Sequence, residues 1–269
     1  MTEIGASPPR RLRVLHKPVA GKRRRALLRA VLEGLAAAGA ELSIESSLRP
    51  GHLGELAQAA LAQGFDRLVV AGGDGSINEA ANALAGSGLP LAFVPLGTAN
   101  VLAHELGLEP RAETIVRAIL TGTPRRVSLG RMTAGAVERR FLLMAGLGFD
   151  ARVVAAVESA PGRKRRFGKG AYLLVGLREA FTGRRAPFAL RLDGQTYEAA
   201  GAVIARSVCY AGPYRLSPAA GLAGNSFQVT LFERQGPLEL ARLALALATG
   251  SQARLPFLRQ VRARYVELL

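Results

Sequence analysis

The residues best suited to chemistry fall in one short run, Leu68-Val69-Val70-Ala71-Gly72-Gly73-Asp74-Gly75-Ser76, which continues into Ile77-Asn78-Glu79-Ala80. An apolar strand ends in three glycines and one carboxylate, and a helix follows. Glycines at such a turn let backbone N–H groups approach a phosphate with no Cβ in the way, and a helix start adds favourable partial charge. Ser76 can cap that helix or bond a phosphate oxygen. A tight turn with a capping residue is the plainer reading, and this run alone leaves both open. There is no G-x-G-x-x-G, and Gly21-Lys22 lacks the upstream glycine and the following Ser/Thr of a P-loop.

The next strand ends in a second unusual turn, Pro95-Leu96-Gly97-Thr98-Ala99-Asn100. It brings another glycine, a hydroxyl and an amide to the same edge of a sheet, which packing alone does not explain. Phosphoryl transfer needs positioning, charge neutralisation and a carboxylate to take the nucleophile's proton. The chain has four aspartates, Asp66, Asp74, Asp150 and Asp193, and of these Asp74 lies in a glycine-rich ligand loop. Asp66 precedes a strand, and Asp193 is accounted for by a hairpin turn.

Periodicity predicts the elements that position these turns. Strands are expected at Leu12–Leu15, Glu41–Ile44, Arg67–Ala71 and Leu91–Val94, with helices at Lys22–Ala38, Leu53–Gln63, Ile77–Leu84 and Arg111–Thr121. Strand alternating with helix at this interval means parallel βαβ units in a doubly wound sheet, where ligands bind beyond the strands' carboxyl ends. After Pro124 short strands alternate with turns, at Phe141–Met144, Phe188–Leu192, Tyr197–Ile204 and Phe227–Phe232. Asp193-Gly194 is a hairpin signal, and helices are expected near Gly170–Phe181 and Leu238–Ala248. The expected class is α/β: a Rossmann-like doubly wound domain over residues 1–124, then a mostly-β domain over 125–269.

Composition narrows the function. One cysteine, Cys209, excludes an intramolecular disulfide and fits a reducing cytoplasm, and three scattered histidines give no zinc spacing. The start has no apolar signal-peptide core. Ala80 to Ala103 carries no charge, but its prolines and glycines read as strand, turn and helix starts rather than a membrane span. Net charge is +16, with clusters at Lys22-Arg23-Arg24-Arg25 and at Arg163-Lys164-Arg165-Arg166 with Lys169. These read either as a solvated surface or as attraction to polyanions: lipid headgroups, nucleic acid or a nucleotide.

GGDGSINEAANAL followed by PLGTANVLAHELGL resembles the paired signature of the diacylglycerol kinase catalytic domain family, which includes bacterial lipid kinases, sphingosine kinases and ceramide kinases. HKPVAGKRRR resembles its N-P-x-x-G nucleotide turn, and Gly146 to Ala151 its G-x-G-x-D-A segment. KRRFGKGAYLLVGL and YAGPYRLSP resemble later segments. NAD kinases share the GGDG turn but not PLGTAN. The resemblance implies a Rossmann-like domain and a β-sandwich with ATP in the cleft between them. It implies that Ser47, Gly72, Gly73, Gly75, Ser76, Gly97, Thr98 and Asn100 face the nucleotide. Asp74 would be the general base for a lipid hydroxyl or a Mg²⁺ ligand, with Glu79 in support. The implied activity is transfer of the ATP γ-phosphate to diacylglycerol or a similar membrane lipid, in the cytoplasm and at an anionic membrane surface reached through the basic clusters.

Three departures stand beside it. The family's first-turn asparagine is Lys17, which could meet a phosphate as a point charge. An Asp-Asp-Gly stretch linked to a magnesium site in some members aligns with Ala223-Gly224-Asn225. The sequence also stops at Glu267-Leu268-Leu269, before the family's terminal Asp-Gly-Glu segment, as if truncated. The alternatives to a kinase are a non-catalytic lipid- or nucleotide-binding relative and a NAD kinase. A nucleic-acid binder would rest on charge alone, since no recognition helix or aromatic RNA-binding motif is present.

Overall fold

The computed structural model describes residues 9–18, 21–158 and 187–269. The Arg163–Lys169 cluster and the helix expected over Gly170–Phe181 lie outside the described residues. The chain divides into two compact units, Met1–Arg125 and Arg126–Leu269.

In the first unit, β1 (Arg11–His16), β2 (Glu41–Ser46), β3 (Arg67–Gly72) and β4 (Leu91–Pro95) form a wholly parallel sheet in the order β2-β1-β3-β4. Parallel strands need crossovers, and three helices fill that role, α1 (Lys22–Ala37), α2 (His52–Ala60) and α3 (Asp74–Ala83), while α5 (Ala112–Thr121) follows β4. Leu28, Val31 and Leu35 of α1 and Ile115 and Ile119 of α5 pack with Leu12, Val14, Val69, Ala71 and Val94 of the sheet. Helices α2 and α3 pack on each other and on β1 and β3. Both faces are thus covered, which is why β3 is buried along its whole length. From β1 the chain winds outward to β2, then returns to β3 and winds the other way. The switch point therefore lies between the carboxyl ends of β1 and β3, where ligands of such sheets bind.

Two details differ from expectation. Helix α3 begins at Asp74, not Ile77, so Asp74, Gly75 and Ser76 form its first turn. Its N-cap is Gly73, and no side chain caps it, so Ser76 is not the cap. A short helix, α4 (Val101–Glu105), also follows the second turn. The uncharged stretch is spread over α3, β4 and α4, and among the described residues no helix is long and apolar enough to cross a membrane.

The second unit is antiparallel. One sheet runs β14 (Leu258–Ala263), β13 (Phe227–Phe232), β10 (Gly201–Ala205), β7 (Met144–Leu147). Another runs β15 (Val266–Leu268), β8 (Phe188–Leu192), β9 (Gln195–Ala199). Leu190, Leu192 and Ala199 of the second pack against Ala202, Ile204, Val229, Leu231 and Ala263 of the first, the arrangement of a sandwich. Helix α7 (Pro237–Thr249) covers the other face of the larger sheet through Leu243. The β8–β9 turn has positive φ at both Asp193 and Gly194, as a two-residue hairpin requires.

The strand expected over Tyr197–Ile204 is two strands in different sheets, and the chain crosses at Ala200, whose N–H donates to Phe232 O at 2.8 Å. A single alternating apolar run cannot reveal such a crossing. The strand expected over Phe141–Met144 instead straddles the break between β6 (Val137–Phe141) and β7. Strand β6 pairs with β5 (Gly130–Ala134) in a largely exposed hairpin whose sequence is too polar to announce itself.

Candidate active site

Strand β3 delivers its carboxyl end as Gly72-Gly73, and β4, its neighbour, ends at Pro95 and turns through Leu96 to Asn100. The two turns touch backbone to backbone. A Cβ on Gly73 would come within 3.0 Å of Gly97 Cα, and one on Gly97 within 2.6 Å of both Gly73 Cα and Asn100 Oδ1. Gly73 has φ −97° and ψ −178°, which any residue adopts, so closeness to Gly97 and not backbone conformation requires glycine. Gly72 is restricted by Ser76, whose Cβ would lie 2.7 Å from an added methyl. Gly75 differs: it is exposed, and an added Cβ would meet nothing within 4 Å. Open space at a helix N-terminus flanked by two glycine turns is the shape a phosphate needs.

Asp74 joins the two turns. Its Oδ2 accepts the N–H of Val101 and its Oδ1 that of Leu102, each at 3.1 Å. Asn100, in the left-handed region at φ 49°, precedes these amides, and its Nδ2 donates to Pro95 O at 3.4 Å. Asn100 Oδ1 is buried with no hydrogen-bond partner. Thr98 lies half-buried in the same turn.

Glu79 is held from two sides. Its Oε1 accepts the N–H of Gly54 at 3.1 Å, and Lys17 Nζ donates to its Oε2 at 3.3 Å. Lys17 directly follows β1, so this ion pair sits on the β1 side of the switch point, one helical turn from Asp74. Ser47 is buried beyond the end of β2, with its hydroxyl donating to Arg49 O at 3.3 Å and its N–H to His16 O at 2.7 Å. Ser46 Oγ pairs with His16 Nε2 at 2.9 Å. Gly72, Gly73, Gly75, Ser76, Asp74, Glu79, Gly97, Thr98 and Asn100 therefore gather on two adjoining turns and the first two turns of α3. Ser47 stands at the end of β2, with β1 between it and β3. The Lys17–Glu79 pair was hidden in the sequence because its members are 62 residues apart. Their positions, just past β1 and in the helix after β3, were the available clue.

Among the described residues no three His, Cys, Asp or Glu side chains gather as a metal cage. A single carboxylate, Asp74, at an open helix start suits a Mg²⁺ that arrives with phosphates and keeps most of its waters.

Known proteins similar to this chain point to one family. Residues 11–132 match the family model of the diacylglycerol kinase catalytic domain, and residues 144–269 that of the YegS C-terminal NAD kinase beta sandwich-like domain. A diacylglycerol kinase of Mycobacterium tuberculosis is 30% identical over 221 residues, 79% of this chain and 70% of that protein. A "Probable lipid kinase YegS-like" of Pseudomonas aeruginosa is 39% identical over 170 residues, 62% of this chain and 52% of the relative, so that match spans about half of the relative's length. The fold matches a diacylglycerol kinase crystal structure from Bacillus anthracis with a TM-score of 0.69 at 21% identity, covering 97% of this chain and 86% of that one. The chain belongs to the diacylglycerol kinase catalytic domain family.

Proposed function

We propose that this protein is an ATP-dependent lipid kinase that transfers the γ-phosphate of ATP to a hydroxyl of diacylglycerol or a similar membrane lipid. The observation that carries this reading is the pair of glycine turns held in backbone contact, with Asp74 bound across them. Family membership implies ATP as the donor. Amides of the first α3 turn and the open face at Gly75 receive the phosphates. Lys17, held by Glu79, adds a positive charge on the β1 side. Asp74 keeps free lone pairs after accepting two amides, so it can take the lipid hydroxyl proton as the new P–O bond forms and the bond to the β-phosphate breaks. Mg²⁺, carried by the phosphates with Asp74 as its one protein carboxylate, would neutralise charge on the leaving ADP.

Basic residues supply the approach to the bilayer. Lys22, Arg23, Arg24 and Arg25 fill the first turn of α1, where no acidic residue balances them. Cations at a helix N-terminus oppose the macrodipole, so helix stability does not explain them. Each is worth about 1 kcal/mol near an anionic membrane surface. Reversing all four to glutamate should abolish sedimentation with anionic vesicles, as should raised salt. Vesicle binding equal to the parent's at low salt would remove this cluster from the membrane contact.

Labelled ATP offered with Mg²⁺ and a panel of diacylglycerol, sphingoid base, ceramide and NAD⁺ tests the activity. Label in one of the lipids is the expected result. Label in NAD⁺ alone would move the protein to the nucleotide kinases, and nucleotide binding with no labelled acceptor would make it a non-catalytic relative.

A further inference from the structure

Arg206 follows β10 and is 2% exposed, the largest of the fully buried side chains. A guanidinium stays charged at any pH a protein meets, so its burial requires partners. Its Nη2 donates to Leu222 O at 2.9 Å and to Gly224 O at 2.5 Å, and its Cζ stands 5.7 Å from the centre of the Phe227 ring. The partners are carbonyl oxygens and an aromatic face, not carboxylates. The turn they belong to, Leu222–Gly224, immediately precedes β13. It overlaps Ala223-Gly224-Asn225, where the family resemblance implies a magnesium-linked carboxylate stretch.

These residues do not fit a divalent cation. Mg²⁺ and Ca²⁺ need six or more oxygen ligands, anionic ones among them, and Ala223, Gly224 and Asn225 offer none with charge. Leu222 O already accepts from the N–H of Ser128 at 2.9 Å as well as from Arg206, so both its lone pairs are used. A fixed positive charge at the same carbonyls would also repel an incoming cation.

We propose that Arg206 is a built-in cation that closes the Leu222–Gly224 turn in place of a divalent metal, so that the fold of this domain does not depend on Mg²⁺ or Ca²⁺. The two N–H groups of Nη2 gather the turn's carbonyls as a metal would. This holds whatever the protein phosphorylates.

The test is thermal unfolding of the nucleotide-free full chain in EDTA and in millimolar Mg²⁺ or Ca²⁺. The parent's midpoint should be the same in all three. Arg206→Lys keeps the charge but loses the planar guanidinium over the Phe227 ring, and should unfold at a lower temperature that metal does not raise. The triple variant Arg206→Asn, Ala223→Asp, Gly224→Asp should unfold early in EDTA and regain stability with Ca²⁺. Gly224 has room for the change, since an added Cβ would find its nearest neighbour at 3.7 Å. A parent midpoint that rises saturably with metal, and still does so in an Asp74→Asn background, would overturn the proposal. A rise that vanishes in that background belongs to the glycine turn and leaves Arg206 as the cation of its loop. Arg206→Met unfolding at the parent's midpoint would equally overturn it, because no cation would then be needed.

Discussion

Asp74 Oδ2 accepts the backbone N–H of Val101 at 3.1 Å, while its Oδ1 takes that of Leu102, tying the first turn of α3 to the first turn of α4. The residue at the centre of the proposed chemistry is therefore also a structural anchor. Removing the carboxylate in Asp74→Ala leaves two helix-terminal amides unpaired and should cost about 1 kcal/mol, the scale of a lost helix cap. Asp74→Asn keeps one acceptor and should unfold close to the parent. Urea titration of both variants reads the difference, and an alanine variant as stable as the parent would show that the clamp adds nothing.

Gly75 gives a separate handle on the phosphate position. It lies inside α3 with open space at its Cβ, so Gly75→Ala should stabilise the nucleotide-free protein by up to about 1 kcal/mol through helix propensity. If phosphates occupy that space, the same methyl shrinks the stabilisation given by Mg-ATP. Gly73→Val should instead lower both, because its side chain would push against Gly97. Thermal shift with and without Mg-ATP separates the two behaviours. An alanine variant with an undiminished nucleotide response would move the phosphates away from Gly75.

Two carboxylates tie down ends of the units. Asp66 accepts the N–H groups of Arg11 and Arg10, which hold its pKa below the usual value, and Asp193 is lowered likewise by those of Arg264 and Tyr265. A depressed folded pKa contributes stability that is full above the unfolded value and is lost as pH falls through the folded one. Urea midpoints should therefore drop on acidification below the ordinary carboxylate range. The drop should be shallower in Asp66→Asn and Asp193→Asn, and modest throughout because both groups are exposed. Identical pH profiles for parent and variants would refute this assignment.

The half-buried pair Asp150 and Tyr210 has the opposite sign. Burial raises the Asp150 carboxyl, partly offset by the hydrogen bond from the Tyr210 hydroxyl, and burial beside Asp150 pushes the tyrosine up. A raised folded pKa makes the Asp150 contribution most favourable in acid, and it is lost as pH rises through that pKa. Tyr210→Phe leaves a half-buried carboxyl without this donor, at about 1–3 kcal/mol. The loss should be larger above the raised Asp150 pKa than below it, where the carboxyl is protonated. A pH-independent loss would place the cost in packing instead.

The first unit was legible because its strands and helices carry their own periods. Each of β1 to β4 appears within two residues of its expected bounds, and the two glycine turns fall at strand ends as their composition implies. Helix α4 was not legible, since five residues give too short a pattern and its start depends on Asp74, distant in sequence. The helical state of Asp74 to Ser76 was masked by Gly75, a poor helix former. In the second unit, β14 was missed because its exposed arginines at 259 and 262, on opposite faces of the strand, interrupt the apolar run. Nothing in the sequence sets Arg206 apart from the other arginines of this basic chain. Its burial became visible once the carbonyls of Leu222 and Gly224 were in place around it.

The most direct test is label transfer from γ-labelled ATP to diacylglycerol in mixed micelles, comparing the parent with Asp74→Asn under saturating Mg²⁺. The parent should label the lipid, and the variant should do so at least about a hundredfold more slowly, the scale of a lost general base. Transfer by the variant at the parent's rate would contradict the role of Asp74 and the reading of the paired turns as a kinase site.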